Sequence, residues 1–221
     1  MKKISTVIFD MDGVLIDSEP FWHTAEKEIF LREGVKITEE MCLGVQGLKA
    51  EHVIDKWKSM FPQLSRTSED YAAEIESEVK KNIQQKGEPI QGVIFALDYL
   101  KSLGMKTAVA SSSKYHLINA VLDKLEIRKY FDTIHSSEDE ANGKPEPDVF
   151  LGAMRKLGSE PEDCVVIEDS GNGVLAGKRA GMIVVAVPPL EQFNLPCYDI
   201  ADYKIQSLND IENVFNQLKI K

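Results

Sequence analysis

The chain has 221 residues, 43% of them hydrophobic, and a formal net charge of −10. That length suits one large domain or two small ones, and that hydrophobic share supports a packed core and excludes a disordered chain. The acidic balance excludes a nucleic-acid surface, which needs a basic patch, so an anionic ligand would have to be held by a few local cations against the overall field.

The N-terminus, "MKKISTVIFDMDG", has two lysines, but its apolar run is cut by aspartates, which excludes a signal peptide. Within it "TVIFD" (6–10) reads as a buried strand that runs into Asp10 and Asp12, with Gly13 and then Asp17 beyond. A strand end crowded with like charges is costly unless a cation binds there. Residues 17–89 contain no strand-like run. Ser18 caps a helix with Glu19 and Pro20 in its first turn, an apolar stripe of Trp22, Ala25, Ile29 and Phe30, and a stop at Gly34. A second helix carries Val53, Ile54, Trp57 and Phe61. A third, capped by Ser68, runs through Tyr71, Ile75 and Val79 to Gly87. The segment reads as an all-helical insertion whose entry and exit, 16–18 and 87–91, lie together as a hinge.

Beyond it, strand and helix alternate. "GVIFALDYLKSLG" puts Val93, Leu97, Leu100 and Leu103 on one helical stripe. "KTAVAS" (106–111), "FDTIHSS" (131–137), "CVVIED" (164–169) and "IVVAV" (183–187) are short, rich in β-branched residues and not alternating, as strands buried on both faces are. "KYHLINAVLDKL" and "PDVFLGAMRKLG" are helical between them. A last helix, "SLNDIENVFNQLK", has Ser207 as N-cap. This alternation predicts an α/β fold with a doubly wound, parallel, Rossmann-like sheet, formed by residues 1–16 and 90–221, with an inserted all-helical cap over 17–89. The three cysteines, Cys42, Cys164 and Cys197, have spacings of neither a disulfide framework nor a zinc site and read as small buried hydrophobes of a reducing cytosol. No stretch approaches the ~20 apolar residues of a membrane span. A cytoplasmic monomer, with no membrane or nucleic-acid partner, is expected.

In an open α/β sheet, ligands bind beyond the carboxyl ends of the strands. After the first strand come Asp10, Asp12 and Gly13; after the second, Ser111, Ser112, Ser113 and Lys114; after the third, Lys144; after the fourth, Glu168, Asp169 and Ser170. Carboxylates without histidine or cysteine suit Mg²⁺ and disfavour zinc or copper. Hydroxyls, amides and a lysine suit a phosphate group. Together they point to phosphoryl transfer to a carboxylate, with Mg²⁺ offsetting a repulsion of roughly 4 kcal/mol per pair of unit charges ~4 Å apart at an effective dielectric near 20. Each piece alone has a bland reading: a DxD is commonly a turn, "SSS" a helix cap, Lys144 a surface lysine and Glu168–Asp169 a cap of the next helix. It is their fall at successive strand ends that carries the reading.

These segments, "DMDGVLIDSEP", "ASSSK", "GKPEPDVF" and "IEDSGNG", stand in the order of the four motifs of the haloacid dehalogenase superfamily, and the whole chain resembles its phosphatase and β-phosphoglucomutase-like branch. The resemblance implies that Asp10 is the nucleophile and that Asp12 protonates the leaving alcohol and then activates water. It implies that Mg²⁺ is held by the Asp10 carboxylate, the Asp12 carbonyl, Asp169 and, directly or through water, Glu168. It further implies that Ser111, the Ser112 amide and Lys144 hold the phosphoryl oxygens, Lys144 also pairing with Asp10, while Gly13 permits the turn that aims Asp12. "SEPFW" and "GLKAE" (47–51) resemble phosphatases of the 2-deoxyglucose-6-phosphate and hexitol-phosphate type, so the expected partner is a small phosphorylated substrate. Trp22 and Lys49 are then candidate cap contacts, with Lys114, His116 and Asn172 at the fringe; the alternatives are cap core for Trp22 and an exposed helix-start lysine for Lys49. Three other readings compete: a β-phosphoglucomutase, a phosphate-accepting signalling domain and a 2-haloacid dehalogenase. The helical insertion and Asp12 argue against the last two. In the mutases that the chain resembles, a hinge-side histidine and a cap arginine serve to hold a second phosphate and to protect the aspartyl-phosphate from water; here Trp22 and, next to Lys49, Ala50 stand at those places, which favours a phosphatase.

Overall fold

The computed structural model describes residues 4–218. β1 (Thr6–Phe9) is followed by four helices, α1 (Glu19–Arg32), α2 (Glu39–Leu43), α3 (Ala50–Met60) and α4 (Ser68–Lys86). The chain then continues through α5 (Val93–Ser102), β2 (Lys106–Ser111), α6 (Tyr115–Lys124), β3 (Thr133–Ser136), α7 (Asp148–Leu157), β4 (Cys164–Glu168), α8 (Gly171–Arg179), β5 (Ile183–Ala186), β6 (Tyr203–Lys204) and α9 (Ile211–Gln217). The strands form one parallel sheet in the order β3-β2-β1-β4-β5-β6, with Val7 of β1 facing Thr107 on one side and Val165 on the other.

The unalternating apolar strands are explained by cover on both faces. Val7, Phe9, Val109, Val165, Ile167 and Val185 point to the side of α5, α6 and α9. Ile8, Ala108, Ala110, Val166, Val184 and Ala186 point to the side of α7 and α8. The four helices between β1 and α5 form the expected all-helical cap, with its own buried centre at Phe30, Trp57, Tyr71, Ile75 and Val79. Its two linkers are neighbours: Ile16 pairs antiparallel with Pro89, and the Ile90 amide donates to the Leu15 carbonyl at 3.2 Å.

Local capping departs from the sequence reading in three places. Ser18 stands at the N-cap of α1 but makes no cap hydrogen bond, because its hydroxyl turns to Asp12. Thr67, not Ser68, caps α4 and accepts from the Asp70 amide, while Ser68 donates to Asp55. Ser207 caps a single 3₁₀ turn, after which α9 begins at Ile211. The strand expected over 131–137 is confined to Thr133–Ser136, and α2 and β6 were not foreseen. Cys42 and Cys164 are buried, but Cys197 is exposed, since it lies on a short 3₁₀ turn outside the sheet. Among the described residues, no helix is long and apolar enough to cross a membrane.

Candidate active site

The sheet order reverses at β1, whose neighbours β2 and β4 lead away in opposite directions, and the crevice beyond their carboxyl ends is where such sheets bind ligands. Asp10 follows β1 directly, and its amide is fixed on β4 by a 3.0 Å bond to the Ile167 carbonyl. Lys144 crosses from the loop after β3 and is 1% exposed, so its charge needs partners. It donates to Asp10 Oδ1 and to Glu168 Oε1, each at 2.6 Å. Burial works against the Lys144 charge, but the attraction of Asp10 and Glu168 prevails and holds its pKa above the usual lysine range.

The other Glu168 oxygen, Oε2, accepts from the Ser170 amide at 2.9 Å and the Ser170 hydroxyl at 3.1 Å, so both oxygens are engaged. Asp169, also buried, differs. Its carbonyl accepts from Tyr198 at 2.8 Å, but no hydrogen bond reaches its carboxylate among the described residues. Burial, then Glu168 and Asp10, push its pKa well above the carboxylate range. Asp10 is pushed up to about 8 by burial, against the pull of Lys144. Oxygens of Asp10, Glu168 and Asp169 all lie within 4.8 Å of one another. One lysine cannot balance three such carboxylates, and an all-oxygen set with an unsatisfied buried member fits a hard dication.

Gly13 shapes this cluster. Its φ is +75°, and a Cβ there would lie 1.8 Å from Asp169 Oδ2. Only glycine lets the turn after β1 pass so close to the carboxylate. That turn is tied by the Gly13 amide to the Ile16 carbonyl at 2.9 Å and sets Asp12 across the crevice. Asp12 Oδ1 accepts from Ser18 at 2.5 Å and from the Trp22 indole at 3.3 Å; Oδ2 accepts from Ser113 at 2.8 Å and lies 3.5 Å from the Ser111 hydroxyl. Burial raises the Asp12 pKa, and the Ser18, Ser113 and Trp22 bonds offset only part of it.

The cavity over this cluster is lined by Asp10, Asp12, Ser111, Ser112, Lys144 and Asp169 from the sheet side. Trp22, a candidate cap contact with cap core as its alternative, packs against the apolar core and also lines the cavity, where its indole N–H donates to Asp12. Lys114 reaches the wall but is paired with Glu51 at 2.7 Å and Glu76 at 3.0 Å. His116 lies 3.6 Å from Glu76, outside the cavity lining. Two expected substrate contacts serve the seam between cap and sheet. Lys49 is drawn past the cavity to the free Glu140 carbonyl at 2.8 Å, and Asn172 donates to the Gln46 carbonyl at 2.8 Å. Sequence reasoning missed Ser18 and Ser113 as Asp12 partners; for Ser113 the signal was its place in the serine run after β2. It also missed Glu19, His23 and Glu26, which with Trp22 form an i, i+3, i+4, i+7 stripe of α1 facing the cavity.

Residues 7–187 match the family model described as haloacid dehalogenase-like hydrolase. The chain is 34% identical to Hexitol phosphatase B of Escherichia coli over 95% of both chains. It is 31% identical to a phosphorylated carbohydrates phosphatase of Thermotoga maritima over 81% of this chain and 82% of that one. Among solved structures, a β-phosphoglucomutase from Clostridium difficile superposes with a TM-score of 0.86 at 25% identity, covering 98% of this chain and 96% of that one.

Proposed function

The chain belongs to the haloacid dehalogenase-like hydrolase family, and on that premise we propose that it is a Mg²⁺-dependent phosphatase that hydrolyses a hexose or hexitol phosphate through an aspartyl-phosphate on Asp10. Its named relatives are phosphatases, which makes it a phosphoric monoester hydrolase; the family sets aside the signalling-domain reading, and those relatives together with Asp12 set aside the dehalogenase reading. The observation that carries the finer reading is the contrast at one strand-end crevice. Asp10 is fixed by Lys144, while the Asp169 carboxylate beside it lacks a hydrogen bond among the described residues.

Asp10, Asp169 and the Asp12 carbonyl would hold Mg²⁺. Glu168, with both oxygens engaged, would fix Lys144 and act on the ion through water. A dication bound there would offset the repulsion between Asp10 and a phosphate dianion. An Asp10 oxygen attacks phosphorus as the ester P–O bond breaks, and Asp12 gives its proton to the departing alkoxide. A raised Asp12 pKa suits that donation. Asp12 then takes a proton from water as the water oxygen attacks phosphorus, breaking the Asp10–phosphoryl bond and releasing inorganic phosphate. Lys144, Ser111 and the Ser112 amide hold the phosphoryl oxygens. On this reading residues 1–16 and 90–221 form the catalytic domain, and 17–89 the cap that admits substrate.

The test is hydrolysis of p-nitrophenyl phosphate and sorbitol 6-phosphate with Mg²⁺ and with EDTA, followed by acid quench and mass spectrometry. Turnover that needs Mg²⁺ and a phosphoryl adduct on the Asp10 peptide are expected. Full activity in EDTA, or an adduct elsewhere, would overturn the mechanism. The likeness to β-phosphoglucomutases favours a second reading. Against it, the Trp22 indole is committed to Asp12, and Lys49 to the Glu140 carbonyl. With β-glucose 1-phosphate and catalytic glucose 1,6-bisphosphate, phosphate release with negligible glucose 6-phosphate is expected; the reverse would establish the mutase.

A further inference from the structure

The far wall of the cavity, across from Asp10, is acidic. α1 contributes Glu19 and Glu26, α3 contributes Glu51, and α4 contributes Glu76. The basic side chains there are engaged: Lys114 by Glu51 and Glu76, and the His23 imidazole by Glu19 at 3.1 Å. Glu26 is the exception among the carboxylates. It is only 8% exposed, yet among the described residues its one hydrogen-bond contact is the Cys42 thiol, 3.8 Å from Oε2. A carboxyl that deep ordinarily carries partners. This one lines the cavity with an oxygen unclaimed.

From this geometry, and resting on the phosphatase reading above, we infer that Glu26 is a specificity-determining residue that binds hydroxyl groups at the end of the substrate remote from the phosphate. The pocket thereby selects monophosphates of uncharged polyols and rejects compounds with a second anionic group. A distal phosphate or carboxylate would meet Glu26, Glu19 and the Lys114-linked pair with, among the described residues, no free cation on that wall to receive it. A hydroxyl can donate to Glu26 and satisfy the oxygen left open. The carboxyl of Glu26 is pushed up to about 7 by burial, so near neutral pH it can also present a proton to a hydroxyl oxygen. That dual capacity matches hydroxyls better than an ammonium group, which can only donate.

Sorbitol 6-phosphate and 6-phosphogluconate form a matched pair, differing at the remote carbon by hydroxymethyl against carboxylate. The readout is the ratio of their kcat/KM values, measured with Mg²⁺ near pH 8, where the Glu26 carboxyl is mainly ionised, for the full chain and for Glu26→Gln and Glu26→Asp. The native chain should favour sorbitol 6-phosphate by about 100-fold or more. Glu26→Gln, which keeps the shape and removes the charge, should narrow that ratio to about tenfold, and Glu26→Asp should keep most of it. A native ratio within about threefold of unity overturns the inference whether or not either variant folds. So does a ratio unchanged in a folded Glu26→Gln protein, or a preference of more than about tenfold for glucosamine 6-phosphate over glucose 6-phosphate. Hydrolysis of p-nitrophenyl phosphate by the native chain separates the two failures. If it persists while the ratio is flat, only the inference falls; if no phosphate ester is cleaved, the phosphatase reading falls with it.

Discussion

Lys144 and Glu26 show two ways of burying a charge. Lys144 lies between two carboxylates at 2.6 Å, and removing it would leave both buried without their cation. Lys144→Met should therefore destabilise the metal-free protein by about 3–5 kcal/mol, lowering the calorimetric melting temperature by roughly 10 °C for a chain of this size. A shift under about 2 °C would show that the triad is not bound as described. Among the described residues, Glu26 has no such cationic partner. Burial is the main cause of its raised pKa, to about 7 from the ordinary 4.5; His23 and Lys27 pull it down, Glu19 pushes it up, and the Cys42 thiol bond pulls it down. The folded state thus favours the protonated acid. Its contribution to stability is present in full below pH ~4.5 and is lost as pH rises toward 7, about 3 kcal/mol in all. Glu26→Gln, which stays neutral, should melt several degrees above the native protein near pH 8 and equal it near pH 4. Equal melting at both would mean that Glu26 carries no penalty. A residue that costs stability at neutral pH and lines the cavity fits a role in substrate choice. Asp10→Asn should reduce turnover by about 1,000-fold or more while leaving the fold intact, since an amide is too weak a nucleophile; activity within tenfold of native would remove Asp10 from the mechanism.

At the scale of elements, the turn after β1 holds the chemistry in place. A methyl group at Gly13 would meet Asp169 Oδ2 at 1.8 Å in a backbone of positive φ, so the turn or Asp169 must move. Gly13→Ala should lower kcat by about 100-fold and weaken Mg²⁺ binding, with α-helical content unchanged. Native kcat in that variant would show that the contact is not needed. This turn was legible in the sequence because DxDG follows an apolar run, and the sheet was legible because five of its strands are apolar on both faces. β6 was not: Tyr203 and Lys204 are two half-buried residues that pair only because β5 offers an edge. α2, five residues long and capped by Thr38, is too short for a helical period to register. Adjacent Thr67 and Ser68 carry equivalent cap chemistry, and only the backbone decides between them. The strand-end residues of the site could be read because topology alone gathers them. The α1 stripe could not, since polar residues at helical spacing normally face water. It becomes a cavity wall only because the cap folds back over the strand ends.

For the whole molecule, the question is how a closed cap lets water in. Its seam with the sheet is polar: Ser112 Oγ donates to the Gly47 carbonyl at 2.6 Å, Asn172 to the Gln46 carbonyl at 2.8 Å, and Lys49 to the Glu140 carbonyl at 2.8 Å. Gly47 sits so near the core that a Cβ would come within 2.5 Å of Ser170 Oγ. The linkers are different: Leu15 and Ile16 are fully buried, and Ile16 pairs with Pro89. Hydrogen bonds that water can replace are worth about 1 kcal/mol each, whereas buried apolar linkers hold through an opening motion. On the proposed mechanism this contrast suits a cap that opens at the seam and pivots at the linkers, as its two half-reactions would require. The first must shield the leaving group, and the second must admit water. Ser112→Ala with Asn172→Ala removes two seam bonds but keeps the Ser112 amide for phosphate. The pair should shift the balance toward the open form by about 2 kcal/mol, roughly 30-fold. In X-ray scattering the ligand-free double variant should show a larger radius of gyration than the native chain, and Mg²⁺ with fluoroaluminate should contract both to the same value. Because closure would then be drawn from substrate binding, KM should rise more than kcat falls. Identical scattering of the two proteins, with and without the phosphate analogue, would mean that the cap does not gate the site.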